Sequence, residues 1–434
     1  MKITLDWLRE HLDGDYSVAD VVATLNRIGH EVEGVENPAE KLAGFRVAKV
    51  LTAEKHPQAD KLQVLTVDTG DGAAPLTVVC GAPNARAGLI GVLGLPGAVV
   101  PANGMELKVA AVRGVESNGM MCSTRELELG DDHDGIIELP ADAPIGTPFA
   151  EYSGAGDPVI DISITPNRQD CMGVRGIARD LAAAGLGTLK PLDIPTIVGE
   201  GAPTTEIRTD DSEGCPAFYG RTISGVTNGT APEWMRRRLE AVGQRSISAL
   251  VDISNYVMFD LGRPSHIYDR ATLTGALVAR RAKNGETAVA LNGKEYSLTD
   301  TMTVLADDSG VHDIAGIMGG EHSGCSETTT DVLLEIAYFT PERIALTGQA
   351  LALTSDARSR FERGVDPAFL DDATAIVTGH VLAICGGTPS EVTRAGTPPA
   401  AAKTVDYDPA LSATLGGIAI EPAIQRAILE SLGF

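Results

Sequence analysis

The stretch DIAGIMGGEHSGCSETTTDVLLEIAYF, residues 313–339, decides the fold of the largest part of this chain. Its second half is an apolar run of strand length that contains a single carboxylate, Glu335. A strand this apolar is normally buried on both faces, so an ionised Glu335 needs either a partner or a cavity. Gly316, Gly319 and Gly320 come before it and carry no side chains, which lets backbone N–H groups approach a ligand closely. The stretch therefore predicts a pocket with a glycine floor and Glu335 pointing into it.

A purely structural interpretation of the same residues stays open at this point. In that interpretation Glu335 pairs with an arginine that holds the sheet together, and the glycines only form a turn. The rest of the chain has to decide between the two.

Length and composition indicate an ordinary multidomain globular protein. A chain of 434 residues corresponds to about three domains, and 43% of its residues are hydrophobic. It contains no run of 18 or more apolar residues, so we expect no membrane span, and the N-terminus carries acidic residues where a signal peptide has its apolar core. The six cysteines are scattered without a CxxC pair, which predicts reduced thiols and a cytoplasmic protein.

The formal net charge of −24 restricts how the chain can bind nucleic acid. Proteins that bind mainly to the phosphate backbone of nucleic acids are usually basic. Any nucleic-acid contact must therefore be local, confined to patches, or shared with a partner subunit.

The N-terminal residues 1–38 predict a short strand followed by a capped helix. Ser17 is placed to cap that helix with Asp20 at its third position, and Gly29 is placed to end it. The segment is too small to be stable alone, so we expect it to pack on residues 150–190. Residues 150–206 are interpreted as an α/β segment followed by a proline-bearing linker.

Residues 39–149 contain short β-like runs separated by glycine-rich turns, which predicts a small closed barrel such as an oligonucleotide-binding (OB) fold. Polar residues gather in three of its loops, and they form a locally positive rim if the loops converge. Ordinary solvated turns are the alternative. The loop residues are Lys55, His56, Lys61, Asn84, Arg86, Arg113, Ser117, Asn118, Ser123 and Arg125.

The largest predicted domain covers residues 207–390 and has a mixed α/β pattern. A capping-box sequence, Thr230 to Glu233, predicts a helix start there. Residues 400–434 begin a further domain, predicted as one strand, one turn and one amphipathic helix. Because that domain is not closed, we expect the chain to be the front part of a longer protein or to need a partner that covers the helix.

Nine motifs, in one order along the chain, resemble the family of bacterial phenylalanine–tRNA ligase (phenylalanyl-tRNA synthetase) beta subunits. They are MKITLDWLREHL, HPQADKL, CGAPN, MCSTRELELG, SITPNRQDCMGVRGIARDL, VDISNYVMFDLGRPSHIYD, AGIMGGEHSG, LLEIAYF and SRFERGVDP. The resemblance implies an α+β multidomain fold: an N-terminal α/β segment with an inserted tRNA-binding OB barrel, a mixed α/β editing domain, and the start of a small winged-helix-like domain.

The resemblance also implies a division of labour. The alpha subunit activates phenylalanine with ATP, and the beta subunit binds tRNA(Phe), assembles an alpha2-beta2 tetramer and hydrolyses mischarged Tyr-tRNA(Phe). Mg2+ and ATP are expected for the whole enzyme, with the metal ligands beyond Phe434 and none bound by this chain. The ten barrel-loop residues without His56 and Ser123 become the expected tRNA contacts.

Carried over by position, the resemblance implies an editing site. Its expected members are His266, Asn255, Glu335 and Ser355 for catalysis, and Ser254, Gly319 and Ala357 for substrate binding. Glu335 is expected to accept a hydrogen bond from the tyrosine hydroxyl, which phenylalanine lacks. His266 and Asn255 are suited to orient the ester and an attacking water, and no Ser–His–Asp arrangement is evident.

Three alternatives remain at this stage. The chain could be a tRNA-binding or scaffold fragment without editing activity. It could be a metallohydrolase that uses His312, Asp313, Glu321 and His322, although the spacing matches no zinc motif. A nucleotide site at AGIMGGEHSG is weaker still, because neither a lysine–serine pair nor a helix start follows the glycines.

Overall fold

Residues 1–34 and 160–434 pack together as one unit, and residues 35–159 form a second unit. The computed structural model describes residues 1–130, 132–154, 156–400 and 404–434. The second unit starts before residue 39 and continues past residue 149, because the short helices Pro38–Lys41 and Phe149–Tyr152 belong to it. Phe149 is buried in the apolar core of this unit.

Five strands of the second unit form one antiparallel sheet that curls into a nearly closed barrel. In sheet order they are Met120–Met121, Ile90–Gly94, Phe45–His56, Ala59–Asp68 and Leu76–Cys80. The sheet edges are joined by hydrogen bonds, since Asn118 N–H donates to Thr77 O at 2.8 Å. Val79 N–H also donates to Ser117 Oγ, at 3.0 Å, from the hairpin Ala110–Val112 and Val115–Ser117. A nearly closed five-stranded barrel fits the predicted OB fold.

The N-terminal helix prediction is confirmed in detail. Helix Val18–Arg27 begins with a capping box in which the Ser17 hydroxyl accepts from Asp20 N–H and the Asp20 carboxylate accepts from Ser17 N–H. The chain leaves the helix at Gly29, whose φ of +94° lies in the left-handed region that favours glycine.

The N-terminal residues pack on segments that follow Ile160 in the sequence. Strand Lys2–Thr4 pairs with Val159–Ser163, which also pairs with Glu31–Glu36. In helix Leu5–His11 the Trp7 ring stacks on Tyr256, with centroids 5.2 Å apart, and its indole N–H donates to Asp260 at 2.7 Å. These contacts supply the core that the short segment lacks by itself.

Two sheets and several helices build the remainder of the first unit. The larger sheet runs His266–Asp269, Asp331–Tyr338, Ala217–Ser224 and Thr388–Pro389, with Thr393–Gly396 also pairing on Ala217–Ser224. The second sheet runs Ile207–Thr209, Leu277–Arg281, Thr303–Asp307 and Gly310–Ile314. Shorter strand pairs are Leu12–Asp13 with Thr188–Leu189, and Thr287–Val289 with Glu295–Ser297. The helices are Val174–Ala183, Glu233–Ala241, Ala249–Leu261, Pro341–Ala350, Asp356–Phe361 and Leu370–Cys385.

Strand Asp331–Tyr338 is buried on both faces, as its apolar sequence predicts. Alternate side chains belong to two different cores, because successive residues of a strand point to opposite faces. Val332, Leu334 and Ile336 pack in the core that contains helices Ala249–Leu261 and Leu370–Cys385. Leu333, Ala337 and Phe339 pack in the core of the second sheet, and Glu335 follows their alternation.

Helix Leu370–Cys385 bears on the expectation that no segment spans a membrane. With the preceding turn, Pro367–Cys385 is long and apolar enough for a span by length and composition alone, which is weak evidence. Leu370, Ala373, Val377 and Val381 are buried in a protein core, as in a core helix.

Two local predictions were wrong. The helix predicted to start with a capping box at Thr230 has Pro232 as its N-cap and no side-chain cap, because proline fixes the entry and carries no capping oxygen. Residues 404–434 contain helices Leu411–Thr414 and Pro422–Ser431 and no strand. The predicted strand does not form there because it has no neighbouring strand to pair with among the described residues. Residues 401–403 of the predicted domain 400–434 lie outside the described residues.

Candidate functional site

A cavity of about 620 Å³ opens in the first unit beside strand Asp331–Tyr338. We call it the Glu335 cavity. It is lined by all seven residues expected at the editing site, Ser254, Asn255, His266, Gly319, Glu335, Ser355 and Ala357. These residues come from five separate segments, which the strand pairing and the helix Ala249–Leu261 bring together.

Glu335 and His266 lie directly opposite each other on neighbouring antiparallel strands. Such cross-strand partners point to the same face of the sheet with their Cβ atoms about 5 Å apart. The Nε2 atom of His266 is buried and has no hydrogen-bond partner among the described residues. Glu335 likewise makes no hydrogen bond in the described part of the chain, although only 6% of it is exposed. Two polar groups are therefore held side by side for something that enters the cavity.

The pKa of Glu335 is raised to about 8, mainly by burial and also by the nearby Asp313, against the lowering effect of Arg263. The carboxyl group therefore keeps its proton at neutral pH. No arginine of the described residues comes within the 4.0 Å of an ion pair with Glu335, so the structural alternative of a Glu335–arginine pair is wrong. Arg263 is 1% exposed and donates instead to Ala337 O at 2.6 Å.

Asp313 is a second buried carboxylate in the cavity wall, and sequence reasoning considered it only as a metal ligand. It accepts hydrogen bonds from Gly320 N–H, at 2.9 Å, and from the Tyr268 hydroxyl. Because both bonds fix its orientation, Asp313 acts as a stationary negative charge near Glu335. Asp313 lies one residue before the end of strand Gly310–Ile314, and nothing in that position indicated from the sequence that hydrogen bonds would fix its orientation.

Gly319 leaves room for the side chain of His266. A Cβ atom at this position would lie 2.7 Å from His266 Cε1 and 3.2 Å from Leu291 Cδ1. The absence of a side chain thus lets the His266 ring reach the cavity. Gly316 also lines the cavity, whereas Gly320 contributes its N–H to Asp313, so the predicted glycine floor is formed by two of the three glycines.

The remaining expected residues differ in what they can offer a substrate. The Ser355 hydroxyl caps helix Asp356–Phe361 by accepting from Arg358 N–H at 3.0 Å, and it donates to Ile317 O at 2.5 Å. The Ser254 hydroxyl donates to Ser265 O at 2.6 Å. Both hydroxyls are therefore used by the fold. The Asn255 amide lines the cavity without a hydrogen bond to another described residue.

The barrel-loop residues fall into two groups. Arg86 makes a two-pronged ion pair with Glu138, at 2.8 and 2.7 Å, and Asn84 donates to the same carboxylate at 3.0 Å. Arg86 and Asn84 hold the pKa of Glu138 down to about 2. The positive charge of Arg86 is therefore largely compensated.

The second group brings two loops together. The His56 ring lies 3.1 Å from Val112 O, which joins the turn between Lys55 and Lys61 to the hairpin that carries Arg113. Within the described ranges of the barrel, no ion pair is formed by the three cations Lys55, Lys61 and Arg113. Ser117 is occupied by Val79 N–H, Asn118 donates its N–H to Thr77 O, and the Arg125 side chain is exposed.

The metal-site alternative is not supported by the geometry. His312 lies within 2.8 Å of Asp307 and points away from its neighbour Asp313, which lines the cavity. Over residues 1–130, 132–154, 156–400 and 404–434, three metal-ligating atoms converge only at His30, Cys171 and Asp180.

That cluster already contains a cation. The Arg168 guanidinium bonds to Asp180 and lies 3.1 Å from Cys171 Sγ, and Arg179 also pairs with Asp180. Arg168 and Arg179 are therefore salt-bridged within the fold, and an arginine stands where a metal ion would have to sit.

Two family models match this chain. The B3/4 domain family matches residues 214–386, which contain all the residues that line the Glu335 cavity, and the tRNA binding domain family matches residues 45–148, the barrel.

Curated relatives match over all 434 residues. The phenylalanine–tRNA ligase beta subunits of Novosphingobium aromaticivorans, Zymomonas mobilis and Rhodopseudomonas palustris are 66%, 56% and 54% identical to it and are covered to 54%, 55% and 54% of their own lengths. The chain thus spans about half the length of the curated relatives it matches. Because both domain models match and the identity to these relatives is 54% to 66% over the whole chain in one order, the chain belongs to the family of phenylalanine–tRNA ligase beta subunits.

Proposed function

We propose that this chain hydrolyses Tyr-tRNA(Phe) in the Glu335 cavity. The observation that carries this proposal is a buried carboxyl group without a hydrogen-bond partner, opposite a histidine whose Nε2 is also unpartnered, in a cavity of about 620 Å³. Buried polar groups are normally paired, so the missing partners point to a polar ligand.

The carboxyl group explains a preference for tyrosine. With its pKa near 8, Glu335 is a neutral acid at pH 7 and can both accept a hydrogen bond from a phenol and donate one to it. Phenylalanine would displace water from the carboxyl group and leave it unpaired, which costs about 1–3 kcal/mol for each lost partner. Sites built around a substrate hydroxyl reject the analogue that lacks it by about 10⁴–10⁵ at best.

The hydrolytic step needs a water oriented at the ester carbonyl. His266 Nε2 and the Asn255 amide are the unoccupied polar groups suited to hold that water or the carbonyl oxygen. The water adds to the ester carbon and gives up a proton, and the bond to the ribose oxygen breaks as that oxygen takes up a proton in its place. Ser254 and Ser355 support the wall, and Ala357 leaves room for the substrate.

The larger assembly is part of the same proposal. The barrel would bind tRNA through Lys55, Lys61 and Arg113, with Asn84, Arg86, Ser117, Asn118 and Arg125 in weaker or structural roles. An alpha subunit in an alpha2-beta2 tetramer would carry synthesis with ATP and Mg2+, in the cytoplasm. In this proposal the barrel unit takes residues 35–159, the editing domain residues 207–390, and residues 400–434 begin a winged-helix-like domain.

The test is release of tyrosine from Tyr-tRNA(Phe) by the chain and by Glu335→Ala, with Phe-tRNA(Phe) as the control substrate. We expect tyrosine-selective release by the wild type that Glu335→Ala loses or makes unselective. A folded wild type that binds tRNA without releasing tyrosine would support the alternative of a non-catalytic scaffold. Metal-free buffer is not expected to change the release.

A further inference from the structure

A second cavity, of about 470 Å³, lies in the same unit and has a different character. We call it the Arg363 cavity. It is formed by the N-terminal strand, the end of strand Val159–Ser163 and the helix Asp356–Phe361 with the residues after it. The side chains that matter below are those of Lys2, Glu33, Asp161, Asp356, Arg360 and Arg363.

The charges in the Arg363 cavity do not cancel. Asp161 pairs with the terminal amine of Met1 at 3.6 Å, and Asp356 pairs with Arg360 at 3.4 Å. Lys2 and Arg363 have no carboxylate within 4.0 Å among the described residues, and the exposed Glu33 is the one carboxylate of the lining left to oppose them. A locally positive cavity is unexpected in a chain of net charge −24. It fits an anionic ligand.

Arg363 is held by uncharged groups. One of its terminal nitrogens, Nη1, donates to Ile164 O at 3.2 Å and lies 3.2 Å from Met172 Sδ. These contacts orient the guanidinium without neutralising it, so its other N–H groups remain available. A planar guanidinium oriented in this way suits an oxyanion such as phosphate.

The two cavities share a wall. Gln244 donates to Asp356 at 3.1 Å, and both residues line the Glu335 cavity as well as the Arg363 cavity. A polymer whose reactive end occupies the Glu335 cavity would therefore pass its preceding units over this pair. In an aminoacylated RNA, those units carry one phosphate per nucleotide.

We propose that the Arg363 cavity binds a backbone phosphate of the single-stranded 3′ end of tRNA while the aminoacyl group occupies the Glu335 cavity. Arg363 and Lys2 provide the charge, and the Gln244–Asp356 pair separates the phosphate from the ester. This inference rests on the proposed editing function. It adds a phosphate contact that positions the substrate without reading its sequence.

The test compares two substrates that differ only in phosphate. Tyr-tRNA(Phe) carries the preceding phosphates, whereas 3′-O-tyrosyl-adenosine has none. We expect Arg363→Gln to raise KM about tenfold for Tyr-tRNA(Phe) with little change in kcat, and to leave tyrosyl-adenosine hydrolysis unchanged. Arg363→Lys should recover most of the loss. The slope of log KM against log salt should fall by about one for the glutamine variant.

Two further variants keep the test independent of folding. Lys2→Gln should also raise the KM for Tyr-tRNA(Phe), because Lys2 is partly exposed and makes no ion pair in the described part of the chain. Arg394→Gln removes an exposed arginine that pairs with Asp371 and lines neither cavity, so it should behave like the wild type. Equal loss on both substrates, or no loss on either, would overturn the phosphate contact.

Failure of the underlying function would look different. A wild type that hydrolyses neither substrate contradicts the proposed function. Binding of a fluorescent single-stranded CCA oligonucleotide then tests the cavity alone: tighter binding by the wild type than by Arg363→Gln supports it, and equal binding overturns it.

Discussion

Replacing Glu335 by glutamine should change how the stability of the first unit depends on pH. The free Glu335 side chain has an ordinary pKa of 4.5, and burial raises it to about 8 in the folded protein. Between these values the unfolded chain has lost the proton while the folded chain still holds it. The free energy of unfolding of the wild type therefore falls as pH rises through this range. Glutamine does not titrate, so Glu335→Gln escapes that loss.

The size of the effect follows from linkage. At about 1.36 kcal/mol per pH unit, the wild type loses about 1 kcal/mol of unfolding free energy by pH 5.5, about 3 by pH 7.0 and about 4–5 by pH 8.5. The stability difference between Glu335→Gln and the wild type should therefore grow by about 3 kcal/mol between pH 5.5 and pH 8.5. Any fixed cost of burying the amide cancels in this comparison.

The assay is urea unfolding followed by tryptophan fluorescence at pH 5.5, 7.0 and 8.5. The chain has two tryptophans, Trp7 and Trp234, and both belong to the first unit, so the signal does not include the barrel. Glu327→Gln is the matched control, because Glu327 is exposed and its substitution should give a difference that is constant with pH. A constant difference for Glu335→Gln would show that Glu335 ionises in the cavity and would refute the neutral-acid argument.

Three further substitutions test other parts of the structure. Gly319→Ala should displace the His266 ring and lower Tyr-tRNA(Phe) hydrolysis by about 10²-fold, while thermal unfolding shows a cost of only about 1–3 kcal/mol. Arg263→Met removes the cation that lowers the pKa of Glu335, so the pH-dependent stability loss should extend above pH 8; an unchanged profile would contradict this. Ser17→Ala should cost about 1 kcal/mol in urea unfolding through loss of the helix cap, with tyrosine release unchanged.

Local structure could be predicted from the sequence where a few neighbouring residues determine it. The Ser17–Asp20 capping box and the turn at Gly29 were predicted because capping needs only groups within one helical turn. The burial of strand Asp331–Tyr338 on both faces followed from its unbroken apolar sequence. The capping box at Thr230 failed because a proline one residue before the helix takes over its start.

The site residues were found in part by the resemblance and in part by the apolar context of Glu335. What the sequence did not indicate is which polar groups remain available. Ser355 and Ser254 carry hydroxyls that the fold consumes, and Asp313 turned out to be a fixed charge. Partners such as Ile317 O or Gly320 N–H depend on how distant loops fold back, and no local pattern reveals them.

The sequence by itself determined the classes of element, the nearly closed barrel, the family and the buried position of Glu335, because periodicity, turn residues and motif order are properties of short segments. Only the tertiary structure decided that His266 faces Glu335, that Gly319 makes room for that histidine, and that Arg363 has no carboxylate partner in the described ranges. These features depend on strand register and on contacts between segments far apart in the chain. Register and long-range packing are set by the whole core, so they become visible only when the chain is folded.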